Sequence, residues 1–360
     1  QHAAVRNRRA PAPSRTQTGD AAEPPVRRHA GRRRRRAPAR GVLRGLPAQP
    51  RSPLRMTWAA GIDVGGTRIK AVAAASNGTV LRRVTHPTAD GAATAADWTR
   101  LAREALEGFA RAIMTTDTKP KMSSRTITCS GGRIVRVSGV AKGAGMIRPD
   151  MATMISMIFT DAAVSSNDLD AIFRRVVDRT FNCVSVDTDT STSDTAIVLA
   201  SGAAGAVADD ALTAALQSVL LDLTKAIARD GEGAETLIEV TVDNARDAEQ
   251  AKTVAKSIVN SPLVKTAVHG ADPNWGRVAM AVGKCSQYTD IDQEKVVIRF
   301  GAQEVYPTRV DESGLAQLSQ YMRGDDVTIH VSLNTGTATA TVWGCDLTDG
   351  YVRINADYTT

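Results

Sequence analysis

The 360-residue sequence has a formal net charge of +7, but this charge is unevenly placed. Residues 1–55 contain 15 Arg against one Asp and one Glu, a net charge of +13, so residues 56–360 carry −6. A mildly acidic body has no basic surface for a phosphate backbone, which argues against a nucleic-acid partner. The sequence shows no uninterrupted apolar run of the about 20 residues that span a membrane. Its four Cys lie at least 54 residues apart and form no metal-ligand pair, so we expect neither a membrane span nor a metal.

Residues 1–55 are a low-complexity segment of Arg, Pro and Ala, with an uninterrupted Arg run at 32–36. Such a composition cannot bury enough apolar surface to fold, so we predict a disordered leader. Three interpretations stay open. The segment is a transit peptide, a nonspecific nucleic-acid-binding tail, or translated upstream sequence, since Met56 opens the first well-patterned stretch.

Residues 56–110 predict two strands joined by a Gly turn, then a third strand after the hairpin signal Asn77-Gly78, then a helix from about Ala95 to Arg111. The pattern Asp63…Gly65-Gly66-Thr67…Lys70 resembles the first phosphate loop of the ROK sugar kinases, in which Gly residues let backbone amides approach phosphate. No second phosphate loop or catalytic Asp motif follows. We therefore predict a kinase-like fragment and not an active kinase.

From about residue 111 to Thr360 the sequence indicates one continuous α/β body. Two segments have apolar residues at helical spacing, and a third alternates apolar and polar residues as strands do. The helical stripes are Leu212, Leu216, Val219, Leu220, Leu223 and Ile227, and Ala251, Val254, Ala255 and Ile258. The alternating segment has Val327, Ile329, Val331 and Leu333 on one face, and Asn334-Thr335-Gly336 turns it into the next strand.

The segment from Lys142 to Met154 combines a Gly pair, Pro149 and the dipeptide Ala152-Thr153. A small residue followed by a hydroxyl residue after a tight turn suits an N-to-O acyl shift, in which the hydroxyl attacks the preceding carbonyl. Cleavage would free an α-amine on Thr153, and an α-amine has a pKa near 7.7, suitable for a general base at neutral pH. Thr153 would then be nucleophile and base at once. Ala-Thr dipeptides are common, so this chemistry alone leaves an ordinary helix-start Thr as an alternative.

Two polar loops accompany this segment. Residues 181–195 are dense in hydroxyls and carboxylates, and we expect them to lie between two strands. Thr192 and Val198 stand where a calcium loop needs Gly and a carboxylate, which excludes a calcium loop. The loop is either hydrogen-bonded to itself near the cleavage point or in direct contact with substrate. The second loop, Asp230-Gly-Glu232-Gly-Ala234, has the composition of a helix C-terminal turn, and a binding site is its alternative.

Together these pieces resemble the ornithine acetyltransferase (glutamate N-acetyltransferase) family of arginine biosynthesis. Seven motifs in order over about 250 residues carry the resemblance. They are Ala112–Thr118, Lys142–Ile147, Met151–Met154, Val186–Thr192, Asp230–Ala234, Gly270–Arg277 and Ile354–Thr360.

The resemblance implies a layered α/β fold of the N-terminal-nucleophile type, cut between Ala152 and Thr153 into an α chain that ends with residues 111–152 and a β chain of residues 153–360. The acetyl group of N2-acetylornithine would pass to Thr153 and then to glutamate. The residues implied to line the substrate site are Thr116, Lys142, Thr153, Glu232, Asn355 and Thr360. The family further implies a cytoplasmic (αβ)2 enzyme without a cofactor, with acetyl-CoA as a possible alternative donor.

The sequence departs from the family before Ala112. The family carries a Ser-Thr-Gly-Val-Ile-Gly motif there, whose Thr and Gly form the oxyanion hole, and this sequence has none. The departure predicts slow transfer. It also leaves two alternatives to an acetyltransferase: a phosphate- or sugar-binding module like those of ROK kinases, and an inactive fusion product.

Overall fold

The structure, a computed structural model, describes residues 58–64, 68–75, 80–87, 95–147, 154–189 and 194–357. The expectations for the Arg-rich leader fall outside these residues, as do those for Gly65-Gly66-Thr67. The predicted boundaries at 55, 110 and 152 stay predictions.

Twelve strands form three sheets within the described residues. The first, in the order β1-β2-β3, is antiparallel; the second, β4-β5-β6-β7, is antiparallel except for the parallel pair β6/β7; the third has the order β10-β9-β11-β8-β12, with β8 and β11 parallel. The strands are β1 (Trp58–Val64), β2 (Arg68–Ala75), β3 (Val80–Pro87), β4 (Lys121–Thr128), β5 (Ile134–Lys142), β6 (Ile155–Ala163), β7 (Thr195–Ala206), β8 (Leu237–Ala245), β9 (Val297–Phe300), β10 (Gln303–Tyr306), β11 (Asp326–Ser332) and β12 (Ala338–Cys345).

Eight α-helices accompany the strands within the same residues. They are α1 (Ala95–Ala112), α2 (Ser166–Arg179), α3 (Asp209–Arg229), α4 (Ala248–Val259), α5 (Pro262–His269), α6 (Trp275–Gly283), α7 (Glu312–Met322) and α8 (Asp349–Asp357). Local chemistry fixes several starts: Ser165, Asp247, Asn274 and Asp311 each accept a backbone N–H from the first turn of α2, α4, α6 and α7. The mixed α/β class is confirmed.

The first two expected strands are present at the front of the described residues. β1 and β2 pair antiparallel with Asp63 opposite Lys70, and β3 joins β2 after the Asn77-Gly78 signal. Helix α1 begins at Ala95 as predicted and ends at Ala112. Phe109 and Ala110 of this helix are buried against Val140 and Met157 on one face of the second sheet.

Helix α3 lies at the centre of the main core. Its predicted stripe is fully buried, and α3 packs against β4 and β5 on one side and α2 on another. The helix has 21 residues, and an 18-residue stretch within it has a mean hydropathy of 1.3. By length and composition it could therefore cross a membrane, which was not expected from the sequence. Half of that stretch is buried within the protein, and a core helix has the same composition.

The strand β11 has its apolar face buried and is followed by the next strand, β12, as expected; β12 pairs with β8, which lies between the two in the sheet. One detail of the predicted connections is wrong. The polar loop expected between two strands instead follows α2 and a short 3-10 turn, Phe181–Cys183, before β7. Local patterns identify strands, but the contacts that order a sheet join residues about 100 positions apart.

Candidate active site

The candidate site lies where β5 ends and β6 begins. These strands are antiparallel, with Lys142 opposite Ile155. The connection between them contains the predicted cleavage bond, but residues 148–153, and with them Ala152 and Thr153, lie outside the described part of the chain. The predicted Thr360 lies outside it too. The site is therefore defined by the described residues on either side of this connection and by the segments that contact them.

Two carboxylates hold the chain on either side of the connection. Asp187 accepts the backbone N–H groups of Met146 at 2.6 Å and Ile147 at 2.8 Å, before it. Asp194 accepts the N–H of Met154 at 2.7 Å, after it. The polar loop that begins at residue 181 therefore bonds to the residues on either side of the predicted cleavage bond. The sequence had left open whether the loop bonds to itself or to substrate.

Burial acts strongly on both carboxyls. It raises the pKa of Asp187 against the opposing effect of the backbone N–H groups of Met146, Ile147 and Asp189. It raises the pKa of Asp194 to about 7, although the Met154 N–H and the charge of Lys142 act in the other direction. Carboxyls whose pKa lies near neutrality are common where protons are transferred, and this one lies next to the predicted cleavage bond.

Glu232 reaches the same place from the end of α3. Its backbone N–H donates to the carbonyl of Ala144 at 2.8 Å. Its carboxylate lies so close to Gly145 that a Cβ built on that glycine would be 2.5 Å from both oxygens. Asn355, on α8, donates its amide to Glu232 Oε2 at 2.9 Å. The structure thus joins three motifs that are far apart in the sequence.

The turn that carries Glu232 requires its glycines. Gly233 has φ +69°, and a Cβ there would collide with the backbone of Tyr351. Thr348 Oγ1 donates to the carbonyl of Gly233 at 2.6 Å, which ties the turn to the start of α8. The composition of residues 230–234 therefore reflects a helix C-terminal turn, as predicted, and the same turn presents Glu232 to the site.

Lys142 is buried at the end of β5, with Nζ 3.5 Å from Thr115 Oγ1. Burial lowers the pKa of Lys142, while the charges of Asp117 and Asp194 oppose that effect. Thr116, predicted from its motif, lies in the loop between Thr115 and Asp117. Both neighbours of Thr116 contact the end of β5: Thr115 contacts Lys142, and Asp117 accepts the N–H of Gly143. Thr116 therefore lies beside the site.

A buried ion network that the sequence analysis missed supports these residues. Lys121 Nζ contacts Asp117 Oδ1 at 2.6 Å and Asp230 Oδ2 at 2.5 Å, and all three side chains are at most 8% exposed. Burial works to raise the pKa of Asp117, but donors from Gly143, Lys121 and Thr115 outweigh it and hold that pKa below its usual value. Asp117 lies four residues before Lys121, but Asp230 is 109 residues away, so the local sequence does not show that the three side chains form one network.

Tyr351 is a second residue that the sequence analysis missed. Burial raises the pKa of its phenol to about 12, and the negative charges of Asp187, Glu232 and Asp189 add to the effect. The phenol therefore stays protonated at neutral pH and is available as a hydrogen-bond donor beside the carboxylates.

A group outside this site has the composition of a metal site. Ligand atoms of Glu235, His269 and Asp346 lie within 4.8 Å of one another. Asp346 already accepts the N–H groups of Glu235 at 2.9 Å and Thr236 at 3.0 Å, and it contacts His269 Nδ1 at 3.2 Å. These bonds explain why the carboxylate of Asp346 is buried: it anchors the backbone of Glu235 and Thr236.

The architecture and the site define the class: a layered α/β protein of the N-terminal-nucleophile type, with a polar site at a strand-to-strand connection. The chain belongs to the ArgJ family, whose sequence profile matches residues 55–360. The match includes residues 56–110, and the comparisons lend no support to the resemblance of that stretch to a ROK kinase.

The relatives agree with this assignment. The chain is 56% identical over 251 residues to the arginine biosynthesis bifunctional protein ArgJ 2 of Nostoc sp., covering 70% of this chain and 64% of that protein. It is 54% identical over 256 residues to the glutamate N-acetyltransferase Oat2 of Streptomyces clavuligerus, again covering 70% and 64%. The chain thus spans 64% of the length of these relatives.

A solved structure is similar as well. The crystal structure of the arginine biosynthesis bifunctional protein ArgJ from Bacillus halodurans superposes with a TM-score of 0.53 and 41% sequence identity. The superposed region is 56% of this chain and 98% of the crystallised chain.

Proposed function

We propose that this chain cleaves itself between Ala152 and Thr153 and then moves an acetyl group from N2-acetylornithine to glutamate through an acetyl-Thr153 intermediate. In each half-reaction the Thr153 hydroxyl or its ester is the acyl carrier, and the freed α-amine takes up and returns the proton. The names of two relatives, a glutamate N-acetyltransferase and an arginine biosynthesis bifunctional protein, support this assignment.

One observation carries the proposal. Three distant segments, residues 142–147, 230–234 and α8, meet at the connection that contains Ala152-Thr153, and they bring Lys142, Glu232 and Asn355 to it. An amino-acid substrate presents a carboxylate and an amine. A buried cation and an acceptor-only carboxylate at one site match those two groups.

The contacts suggest a role for each side chain. Lys142 would bind the α-carboxylate of the substrate, because it is a cation buried beside the connection. Glu232 would bind the charged side-chain amine of acetylornithine, and Asn355, already bonded to Oε2, would keep the carboxylate facing the site. Gly145 leaves room for that carboxylate, which a larger residue would displace.

The length of the superposed structure supports the cleavage. The superposed region is about 200 residues of this chain and nearly all of the crystallised chain. The segment from Thr153 to Thr360 has 208 residues. A chain of that length is what cleavage before Thr153 would produce.

We extend the proposal to the assembly and its setting. The two fragments would stay together and associate as (αβ)2, in the cytoplasm, with small-molecule substrates only. The chemistry requires no cofactor, since the acetyl group is held by Thr153; acetyl-CoA would be an alternative donor of the same group.

Acetylation of Thr153 tests the function directly. Purified chain is mixed with N2-acetylornithine alone, and the fragment that begins at Thr153 is analysed by mass spectrometry; labelled glutamate is then added. We expect an acetyl adduct on that fragment, followed by labelled N-acetylglutamate. Thr153→Ala should show neither. A cleaved, folded wild-type chain that forms no adduct and no N-acetylglutamate would contradict the proposed transfer.

A further inference from the structure

Strand β7 forms one edge of the second sheet, and the described part of the chain leaves its outer side open. Among the described strands it pairs with β6 alone. None of the twelve residues of β7 is buried, whereas six of the nine residues of β6 are. The outward backbone groups of β7 are therefore available to another strand.

The sequence of β7 lacks the features by which edge strands avoid other chains. Residues 195–206 include no charged side chain and no Pro. The opposite edge of the same sheet, β4, carries Lys121 and Arg125. Two copies of one chain carry identical charges, so an uncharged edge is a surface on which they can meet without local repulsion.

Two large apolar side chains of β7 are exposed on one face of the sheet. Ile197 is 39% exposed and Leu199 is 49% exposed. The register sets Ile197 beside Met157, which is buried against α1, so Ile197 lies on the face that α1 covers in part. Leu199 lies beside Phe159 on the same face. An apolar strip therefore continues along this face, past α1, to the open edge.

Hydrogen bonds to β6 show which residues of β7 point outward. Thr195 donates its N–H to the carbonyl of Met154 at 3.0 Å. The backbone groups of successive residues in a strand point to alternate sides, so Ile197 and Leu199 also turn theirs toward β6. The register with β6 stays regular as far as residue 200. Over this regular stretch three residues turn their backbone groups away from β6: Ala196, Val198 and Ala200.

We propose that two copies of this chain pair antiparallel through β7, with a two-fold axis at Val198. The outward N–H and carbonyl groups of the two strands then bond to each other. Ile197 lies opposite Leu199 of the second copy, as a non-hydrogen-bonded pair, in which side chains are closest. A two-fold axis closes the contact, so the product is a dimer and not a filament. This inference rests on the self-association included in the proposed function, and it names the surface.

Sedimentation velocity over a range of concentrations tests the surface. The wild type should form a species of about twice the 38.1 kDa of one chain. Leu199→Lys places a charge inside the contact, and the dissociation constant of the dimer should rise by about tenfold or more. Met122→Lys is the matched control. Met122 is 37% exposed on the same face, but it lies on β4 at the other edge, so this variant should dimerise as the wild type does.

A second substitution tests the register. Adding Ile197→Glu to Leu199→Lys sets a carboxylate opposite an amine twice across the axis, provided that Val198 lies on that axis. This double variant should dimerise more tightly than Leu199→Lys alone. A double variant as weak as the single one, while both stay folded, would overturn the proposed pairing.

Amide hydrogen exchange checks the same contact without a variant. In the wild type the N–H groups of Ala196, Val198 and Ala200 should exchange more slowly as the protein concentration rises. A wild-type chain that stays monomeric, or a dimer in which these amides gain no protection, would overturn the β7 contact. Acetylation of Thr153 is read separately by mass spectrometry, so either result leaves the proposed transfer standing. A β7-paired dimer that forms no acetyl adduct would contradict the transfer alone.

Discussion

At the scale of single residues, Glu232 is the side chain whose role is most sharply tested. Its carboxylate faces Gly145 and is held by Asn355. If it binds the charged side-chain amine of the substrate, Glu232→Gln removes one charge-assisted bond, and the affinity should fall by about 1.5–3 kcal/mol. Isothermal titration of the cleaved protein with ornithine measures this loss, since ornithine carries the same side-chain amine and no acetyl group to transfer.

Glu235→Gln is the matched control for that experiment. It changes a glutamate three residues along the same loop, whose side chain is 68% exposed and faces His269. We expect it to bind ornithine as the wild type does, and both variants to cleave normally. Equal affinity in Glu232→Gln and Glu235→Gln would leave Glu232 as part of a helix-terminal turn only.

Asp194 predicts a pH dependence of stability at the same scale. Its folded pKa is about 7, raised above the ordinary value of 3.8. The folded state thus binds a proton more tightly than the unfolded state. The resulting stability is fully present below about pH 4 and is lost as the pH rises through 7, by at most about 1.4 kcal/mol for each pH unit in between.

Urea unfolding of the wild type and Asp194→Asn at several pH values measures this contribution. The Asn side chain does not titrate, so the stability of the wild type relative to the variant should fall from the ordinary pKa of the carboxyl, 3.8, up to its folded pKa of about 7. A constant difference over that range would show that Asp194 titrates normally in the folded chain.

The residues of this site differ in how well the sequence predicts them. Lys142, Glu232 and Asn355 lie inside motifs that the resemblance supplies. The structure places Asn355 in contact with Glu232, and Glu232 against Gly145, three residues after Lys142. Asp194 follows one of those motifs and has no distinguishing pattern of its own. Its effect depends on burial, which a sequence does not show, and on the register that sets Ile155 beside Thr195.

At the scale of elements, the network of Lys121, Asp117 and Asp230 joins β4, the loop before it and the end of α3. It also fixes Gly143, through the 2.6 Å bond from its N–H to Asp117. Lys121→Met would leave two buried carboxylates without their cation. Loss of one partner of a buried ion pair typically costs about 3–5 kcal/mol, and we expect a loss of that size in the free energy of unfolding.

Lys225→Met provides the comparison for this change. Lys225 contacts Glu239 at 2.8 Å, but its side chain is 40% exposed. An exposed ion pair contributes less than about 1 kcal/mol, so chemical denaturation should show a small loss there and a large one in Lys121→Met. Similar losses in the free energy of unfolding of both variants would mean that the Lys121 network contributes no more to stability than an exposed ion pair.

Elements themselves could largely be predicted from the sequence, because their signals are local. The buried stripe of α3 and the alternation of β11 are visible as the helical and strand periods. The position of β12 beside β8 could not be predicted, since Cys345 pairs with Leu237 across more than 100 residues. The network of Lys121, Asp117 and Asp230 could not be predicted for the same reason, since Lys121 and Asp230 are 109 residues apart.

At the scale of the whole molecule, we expect the source of the oxyanion hole to decide the rate of transfer. The Ser-Thr-Gly-Val-Ile-Gly motif that the resemblance implies as its source is absent from this sequence. Loss of a single oxyanion donor costs about 10²–10³ in rate. We therefore expect transfer by this chain to be slower by at least that factor than transfer by a variant in which a family first domain replaces residues 56–110. Equal rates would show that this chain supplies its donors from elsewhere.

Self-cleavage tests the central claim most directly, since every later step needs the free amine of Thr153. The purified wild-type chain, its Thr153→Ala variant and its Thr153→Ser variant are compared by intact mass and by the N-terminal sequence of each fragment. We predict that the wild type and Thr153→Ser, which keeps a hydroxyl, give a 208-residue fragment starting at residue 153, and that Thr153→Ala stays whole. A wild-type chain that unfolds cooperatively yet remains a single species of 38.1 kDa would contradict self-cleavage and the transfer that depends on it.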